Sequence, residues 1–325
     1  MIYTGLRPPA GTGPRRSLRR RWWRESGIRF VTGLSRILGS CPRGLVLPLC
    51  AGLGGIGSVI CAKDRRLIQA HLRLAFPGLD RVARERLLRL AFRAMALNAM
   101  DGMRFLHRPA GELRDLVEVH GVEHLTRAVR AGRGAVVVTG HLGPWELFAG
   151  YFALSVPLTV VARPAKDPRL ENLLAQLRAR FGVRVARERD VRTLVKALRA
   201  GEVVGIVCDQ ARKSEGVWVP LFGHPAWMPV GPAKLARRTG ATLIVGGMAR
   251  MGWQRFVITL GEPLPDRGAD PAGLRQSTAE IARNLESLVR EHPAEWIWMY
   301  DHWRGPAGPI AKTEITSGGE AAWSS

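Results

Sequence analysis

One segment concentrates residues able to do chemistry: Ala135-Val136-Val137-Val138-Thr139-Gly140-His141-Leu142-Gly143-Pro144-Trp145-Glu146-Leu147-Phe148. Its apolar start reads as a strand ending at Thr139, with His141 just beyond the carboxyl end. In an α/β sheet that edge is where ligands bind. Pro144 suits a first helical position, because its missing N–H has no intrahelical partner to lose. Gly143 is then expected as the N-cap. Glu146 falls in the first turn, where the helix dipole favours a carboxylate. On one continuous helix, residues five apart diverge by about 140°. With His141 on the loop and Glu146 on the first turn, the two can meet. A histidine held by a carboxylate is a general-base pair. No G-x-S-x-G elbow and no Ser or Cys beside His141 supplies a nucleophile. The expected nucleophile is therefore a substrate hydroxyl attacking an activated acyl group. Free N–H groups at the helix start are available for the developing oxyanion.

The elements around this segment alternate. Apolar runs at 117–119, 135–139, 158–162, 203–208, 242–248 and 256–260 read as strands. Helical patterns lie near 122–131, 144–154, 168–181, 190–200 and 231–239. Such alternation predicts an α/β fold with a mostly parallel central sheet covered by helices. Two helices are expected before it, from Asp64 to the Pro77-Gly78 stop and over about 80–106. A long helix near 271–291 and a Trp-rich stretch at 295–303 close the domain.

Charge and hydropathy organise the amino-terminal part. The 325 residues hold 49 basic and 27 acidic side chains, a net charge of +22, with only six lysines. The first fifty residues carry ten Arg and one acid, Glu25, with Trp22 and Trp23 inside the Arg cluster. That composition favours an anionic leaflet over nucleic acid. Gly44 to Ala62 is uncharged for nineteen residues, roughly 28 Å as a helix and so just long enough for a hydrocarbon core. It holds five glycines and Pro48, which keeps its hydropathy modest. The expected division is a basic lead plus a membrane-associated or transmembrane helical segment over 1–63 (the apolar part being about 44–62), a catalytic domain over 64–304, and a disordered tail over 305–325. Gly52-Leu53-Gly54-Gly55-Ile56-Gly57 matches G-x-G-x-x-G formally, but the strand and acid of a dinucleotide site are missing around it. Its glycines read better as small residues in an apolar helix. Cys41, Cys50, Cys61 and Cys208 are scattered without metal-ligand spacing, so no metal site is expected.

The segment Gly140-His141-Leu142-Gly143-Pro144-Trp145-Glu146 resembles the H-x4-D/E motif of glycerolipid-type acyltransferases, in the N-H-x-G-N-W-E form of the lipid A biosynthesis late acyltransferases. Further blocks stand in the family's order: His71–Pro77 before this segment, and after it Val161-Ala162-Arg163-Pro164, Gly201 to Asp209-Gln210, Val217–Ala226, and Gly231–Ala236 with Thr239-Gly240-Ala241. The resemblance spans about 45–304 and makes the expected catalytic domain over 64–304 an acyltransferase domain by implication. It implies a membrane-bound enzyme that moves an acyl chain from an acyl-carrier-protein or coenzyme A thioester to a hydroxyl of an anionic, phosphorylated glycolipid. The place implied is the cytoplasmic face of a bacterial inner membrane. No cofactor beyond the thioester cosubstrate and no nucleic-acid partner is implied. His141 is then the base and Glu146 its partner. Arg163 and Asp209 fall on the substrate-binding side, Arg163 as a polar or phosphate-binding group and Asp209 as a supporting residue at a strand end.

Three departures bear on the acceptor. The leading Asn of the motif is Gly140, the small Thr after the P-A block gives way to Trp227-Met228-Pro229, and the W-x-H-x-R-W-K ending reads Trp298-Met299-Tyr300-Asp301-His302-Trp303-Arg304. A phosphatidylinositol-mannoside acyltransferase, built on the same framework, or another glycolipid or phospholipid acyltransferase is the alternative. Outside the resemblance stand a non-catalytic basic membrane binder and an acyl-thioester hydrolase.

Overall fold

The computed structural model describes residues 33, 35–210, 214–300, 302–305 and 308–309. The basic lead expected over 1–25 and nearly all of the expected 305–325 tail lie outside them. After helical residues at 35–40 come α1 (Arg43–Ile60), α2 (Ala62–Ala75) and α3 (Arg81–Phe105). Asp80 caps α3, its carboxylate accepting from the Ala83 N–H at 2.7 Å, an interaction worth about 1 kcal/mol. The short α4 (Glu112–Asp115) leads into β1 (Val117–His120).

Strands and helices then alternate through α5 (Val122–Arg130), β2 (Ala135–Thr139), α6 (Trp145–Ala153), β3 (Leu158–Val161), α7 (Pro168–Phe181), β4 (Arg184–Ala186), α8 (Val191–Arg199) and β5 (Val203–Val207). A separate hairpin of β6 (Gly216–Leu221) and β7 (His224–Pro229) interrupts the pattern. Then follow α9 (Gly231–Thr239), β8 (Thr242–Met251), β9 (Arg255–Leu260) and α10 (Pro271–Glu291). Arg304–Gly305 and Gly308–Pro309 form a final two-residue pairing, β10 with β11.

The main sheet runs β1-β9-β8-β2-β5-β3-β4. From β8 to β4 every pair is parallel; β9 is antiparallel to β8 and parallel to β1. The expected mostly parallel α/β sheet is thus what forms, with β4 and the β6–β7 hairpin in addition. β4 shows only three residues of strand, two of them exposed. The β6–β7 segment alternates with prolines at 220, 225 and 229, which obscures it as strand. All five residues of β2 are buried. Val136 and Val138 pack into one core and Ala135 and Val137 into the other, as two-sided burial of a central strand requires.

The 44–62 segment does not stand apart from the domain. α1 runs antiparallel to α3: Arg43 pairs with Asp101 near one end, and Gly54 lies against Phe92 and Arg93 further along. A Cβ on Gly54 would come within 2.7 Å of the Phe92 carbonyl oxygen, so glycine is what lets the helices approach. The G-x-G-x-x-G run is therefore the middle of a packed helix, and no strand precedes it among the described residues.

Candidate functional site

The site forms where neighbouring parallel strands end. β2 and β5 are adjacent, so the residues just past their carboxyl ends, His141 and Asp209, are brought together. The Asp209 carboxylate touches His141 twice. The His141 ring Nδ1 lies 2.6 Å from Oδ1, and the His141 backbone N–H donates to Oδ2 at 2.7 Å. Trp296 Nε1 donates to the same Oδ2 at 2.9 Å. An ionised carboxylate accepts only, so Nδ1 carries a proton and Nε2 is the ring nitrogen left to act as a base. Burial by itself would raise the Asp209 pKa. The charge and hydrogen bonds of His141, with His302 behind, outweigh that and hold it well below the usual carboxylate range. Trp145 and Tyr300 meet the His141 ring edge-on, centroids 5.0 and 4.9 Å away, and fix its plane.

The pairing expected from spacing is different. Glu146 does not hold His141; it makes a bidentate ion pair with Arg178 of α7, at 2.8 and 2.6 Å. The helix begins one residue later than expected, at Trp145, with Pro144 as its cap. Gly143 is not the N-cap but a left-handed residue, φ +56°, and its N–H donates to the Glu295 carbonyl at 2.9 Å. This turn directs Glu146 to α7 and leaves His141 to the strand-end carboxylate. Asp209, placed on the substrate-binding side by resemblance, lies behind His141 and does not line the large cavity. Arg163 does line it, at an exposed position, with its guanidinium on Glu188 and Ser214.

A Cβ at Gly143 would lie 2.0 Å from the Met248 carbonyl oxygen. Gly143→Ala is therefore expected to cost more than the roughly 1–2 kcal/mol of left-handed strain alone. The check is a thermal melt, with the melting temperature falling by several degrees, together with loss of turnover as the His141 loop shifts.

The carboxyl-terminal segment clamps the loop from outside. Ile297 N–H donates to the His141 carbonyl at 3.1 Å, and Leu142 bridges Trp296. His302, buried, stacks on Trp296 with centroids 3.9 Å apart. Burial pushes the His302 pKa down. Gly140 faces the carboxylate: a Cβ there would sit 3.0 Å from Asp209 Oδ2. Cys208, next to Asp209, is fully buried and its thiol is pushed well up by desolvation and then by Asp209, which makes it inert as a nucleophile.

His141 opens onto a cavity of about 1070 Å³. One part is walled by Leu147, Phe148, Leu173, Leu174 and Leu177, apolar side chains of α6 and α7. The Glu146–Arg178 pair lies in the same wall, and Arg163, Lys234 and Arg238 also line the cavity. The signals for Arg178 and Trp296 were weak in the sequence: neither lies in a spaced motif with His141.

Fold and site together define an α/β enzyme whose His141, backed by a carboxylate, faces a large, mostly apolar cavity. Residues 14–305 match the family described as bacterial lipid A biosynthesis acyltransferase, and the chain belongs to that family; it is an acyltransferase. It is 30% identical over 221 residues to a phosphatidylinositol mannoside acyltransferase of Mycobacterium tuberculosis, covering 65% of this chain and 67% of the relative. It is 25% identical over 266 residues to the lipid A biosynthesis lauroyltransferase of Escherichia coli, covering 80% and 85%. The crystal structure of a 1-acyl-sn-glycerophosphate acyltransferase from Thermotoga maritima aligns with a TM-score of 0.36 at 17% identity, over 78% of this chain and 99% of that one.

Proposed function

We propose that this protein is a membrane-associated O-acyltransferase that moves a fatty acyl chain from an acyl-carrier-protein or acyl-coenzyme A thioester to a hydroxyl of an anionic glycolipid. The observation that carries the reading is a histidine with a free Nε2, backed by a buried carboxylate, at one wall of a cavity otherwise suited to hydrocarbon. In the proposed reaction His141 Nε2 takes the proton of the acceptor hydroxyl as its oxygen bonds to the thioester carbonyl carbon. The tetrahedral intermediate then expels the carrier thiolate, which takes up the proton from the imidazolium, leaving ester and free thiol. Asp209 holds the tautomer and balances the imidazolium. The acyl chain lies against the leucines of α7, and Arg163, Lys234 and Arg238 meet the anionic groups. The thioester supplies the activated acyl group, so the reaction calls for no further cofactor.

The family relatives are named for lipid A and for phosphatidylinositol mannoside, two anionic glycolipids, and the acceptor proposed here belongs to that chemical class. Membrane association rests on α1. It is the only described helix long and apolar enough to cross a bilayer, yet one face is packed on α3. The other face, with Leu45, Leu49, Leu53, Ile56, Val59 and Ile60, is exposed. We place this helix in the interface of the cytoplasmic leaflet of a bacterial inner membrane, lying on the bilayer with its bare face down. The test is lipid mass spectrometry of cells expressing the wild type or His141→Ala. A glycolipid heavier by one acyl residue in the wild type alone supports the reading and names acceptor and chain length. Free fatty acid without an acylated lipid would instead establish the hydrolase.

A further inference from the structure

β8 is ten residues long, but only its first four, Thr242 to Val245, pair with β2. From Gly246 to Met251 it pairs with β9 alone. Because β8 and β2 are parallel, this two-stranded arm runs on past the carboxyl end of β2, the edge that bears His141. Six residues at about 3.3 Å each carry it roughly 20 Å beyond the paired region. The arm is tied to the helices. Arg250 donates to Asn98 at 2.9 Å and to Asp101 at 2.6 Å. Arg43, at the start of α1, reaches both Asp101 and the Gln254 carbonyl.

At the tip, Trp253 and Met251 are 51% and 41% exposed. The Arg93 guanidinium lies 5.8 Å from the Trp253 ring centroid. Arg86 and Arg89 are exposed on the same helix, with Val82 and Leu90 beside them. An exposed Trp beside an arginine suits a membrane–water interface, where the ring sits at headgroup level and the guanidinium meets lipid phosphate.

We propose that the Met251–Gln254 tip of the β8–β9 arm is a second lipid-contact element, which inserts Trp253 and Met251 among the headgroups of an anionic leaflet. With α1, whose start it adjoins through Arg43 and Gln254, it extends the lipid footing beyond one helix, so the domain settles in one orientation with the carboxyl edge of the sheet toward the lipid. An acceptor headgroup then reaches His141 without leaving the bilayer. This inference rests on the membrane association proposed above.

The experiment uses the full chain and vesicles of phosphatidylcholine with phosphatidylglycerol, and of phosphatidylcholine alone. Trp253→Asp is expected to weaken co-sedimentation with the anionic vesicles about tenfold, the scale of withholding one large apolar side chain from lipid. Its melting temperature stays unchanged, because the ring is half exposed. In the unmodified protein, hydrogen–deuterium exchange over 251–254 is expected to slow when anionic vesicles are added. Wild type that binds vesicles, with equal binding by Trp253→Asp and unaltered exchange at the tip, overturns the inference and leaves membrane association standing. Wild type that does not bind at all removes both. Should the variant melt early, exchange in the unmodified protein decides alone.

Discussion

His141→Ala is expected to lower kcat by about 10²- to 10⁴-fold, the loss typical of removing a general base, with KM for the acyl thioester changed far less. The expectation follows from what each ring nitrogen does. Nδ1 is committed to Asp209, which leaves Nε2 for a substrate in the cavity that His141 lines. Alanine removes the base but leaves the leucine wall and the cationic residues that would hold the acyl chain and its carrier. The fold should survive, since the ring lies at the cavity and contributes no backbone contact. The loop keeps its main-chain bonds to Asp209 and Ile297. Initial-rate measurements across donor concentration separate the two parameters. A variant whose KM rises while kcat holds would make His141 a binding residue and refute the mechanism. Glutamine at this position is expected to fare no better, as an amide has no basic lone pair to offer.

Much of this was legible beforehand, and the part that was not has a physical cause. The strand ending at Thr139 and the one ending before Asp209 are short apolar runs bounded by glycine or polar residues, which the two-sided burial of a central parallel strand demands. Their adjacency in the sheet is a property of strand order, which local sequence does not carry. Residues 68 apart therefore could not be joined by spacing, whereas His141 and Glu146, five apart, could. Local spacing favoured the wrong carboxylate because the outcome hinges on a single residue. Gly143 takes φ +56°, and that turn sends Glu146 to Arg178. The same limit applies to α1. Its apolar length was plain, but that one face would be spent on α3 follows from Gly54 and the Arg43–Asp101 pair, which are long-range contacts. The Trp-rich ending was visible as composition; that Trp296 donates to the Asp209 carboxylate required the fold.

The two carboxylates give the sharpest contrast, because their replacements should fail in different ways. Asp209→Asn is expected to cost kcat on the scale of losing His141 itself, about 10²- to 10⁴-fold, with the protein still folded at neutral pH. The amide cannot balance an imidazolium, and its NH₂ group can turn the ring so that Nε2 carries the proton. Glu146→Gln instead breaks the bidentate pair with Arg178 and leaves a guanidinium in the cavity wall. Breaking a fully buried pair costs about 3–5 kcal/mol. Arg178 also borders the cavity, so the low end of that range applies, and the melting temperature should drop by several degrees. Turnover falls through the disturbed wall, and KM for the donor rises with it.

Acid sensitivity separates them further. Asp209 has a folded-state pKa below its unfolded value of about 3.9. Its contribution to stability is therefore fully present above that value and is lost as pH falls through the folded pKa. In Asp209→Asn this part of the acid transition disappears, so the variant's stability should change less than the wild type's below about pH 4. Urea titrations at neutral and acid pH read the difference. If Glu146→Gln rather than Asp209→Asn abolished kcat with stability intact, the base would have to take its proton partner from the helix, and the assignment of Asp209 would fall.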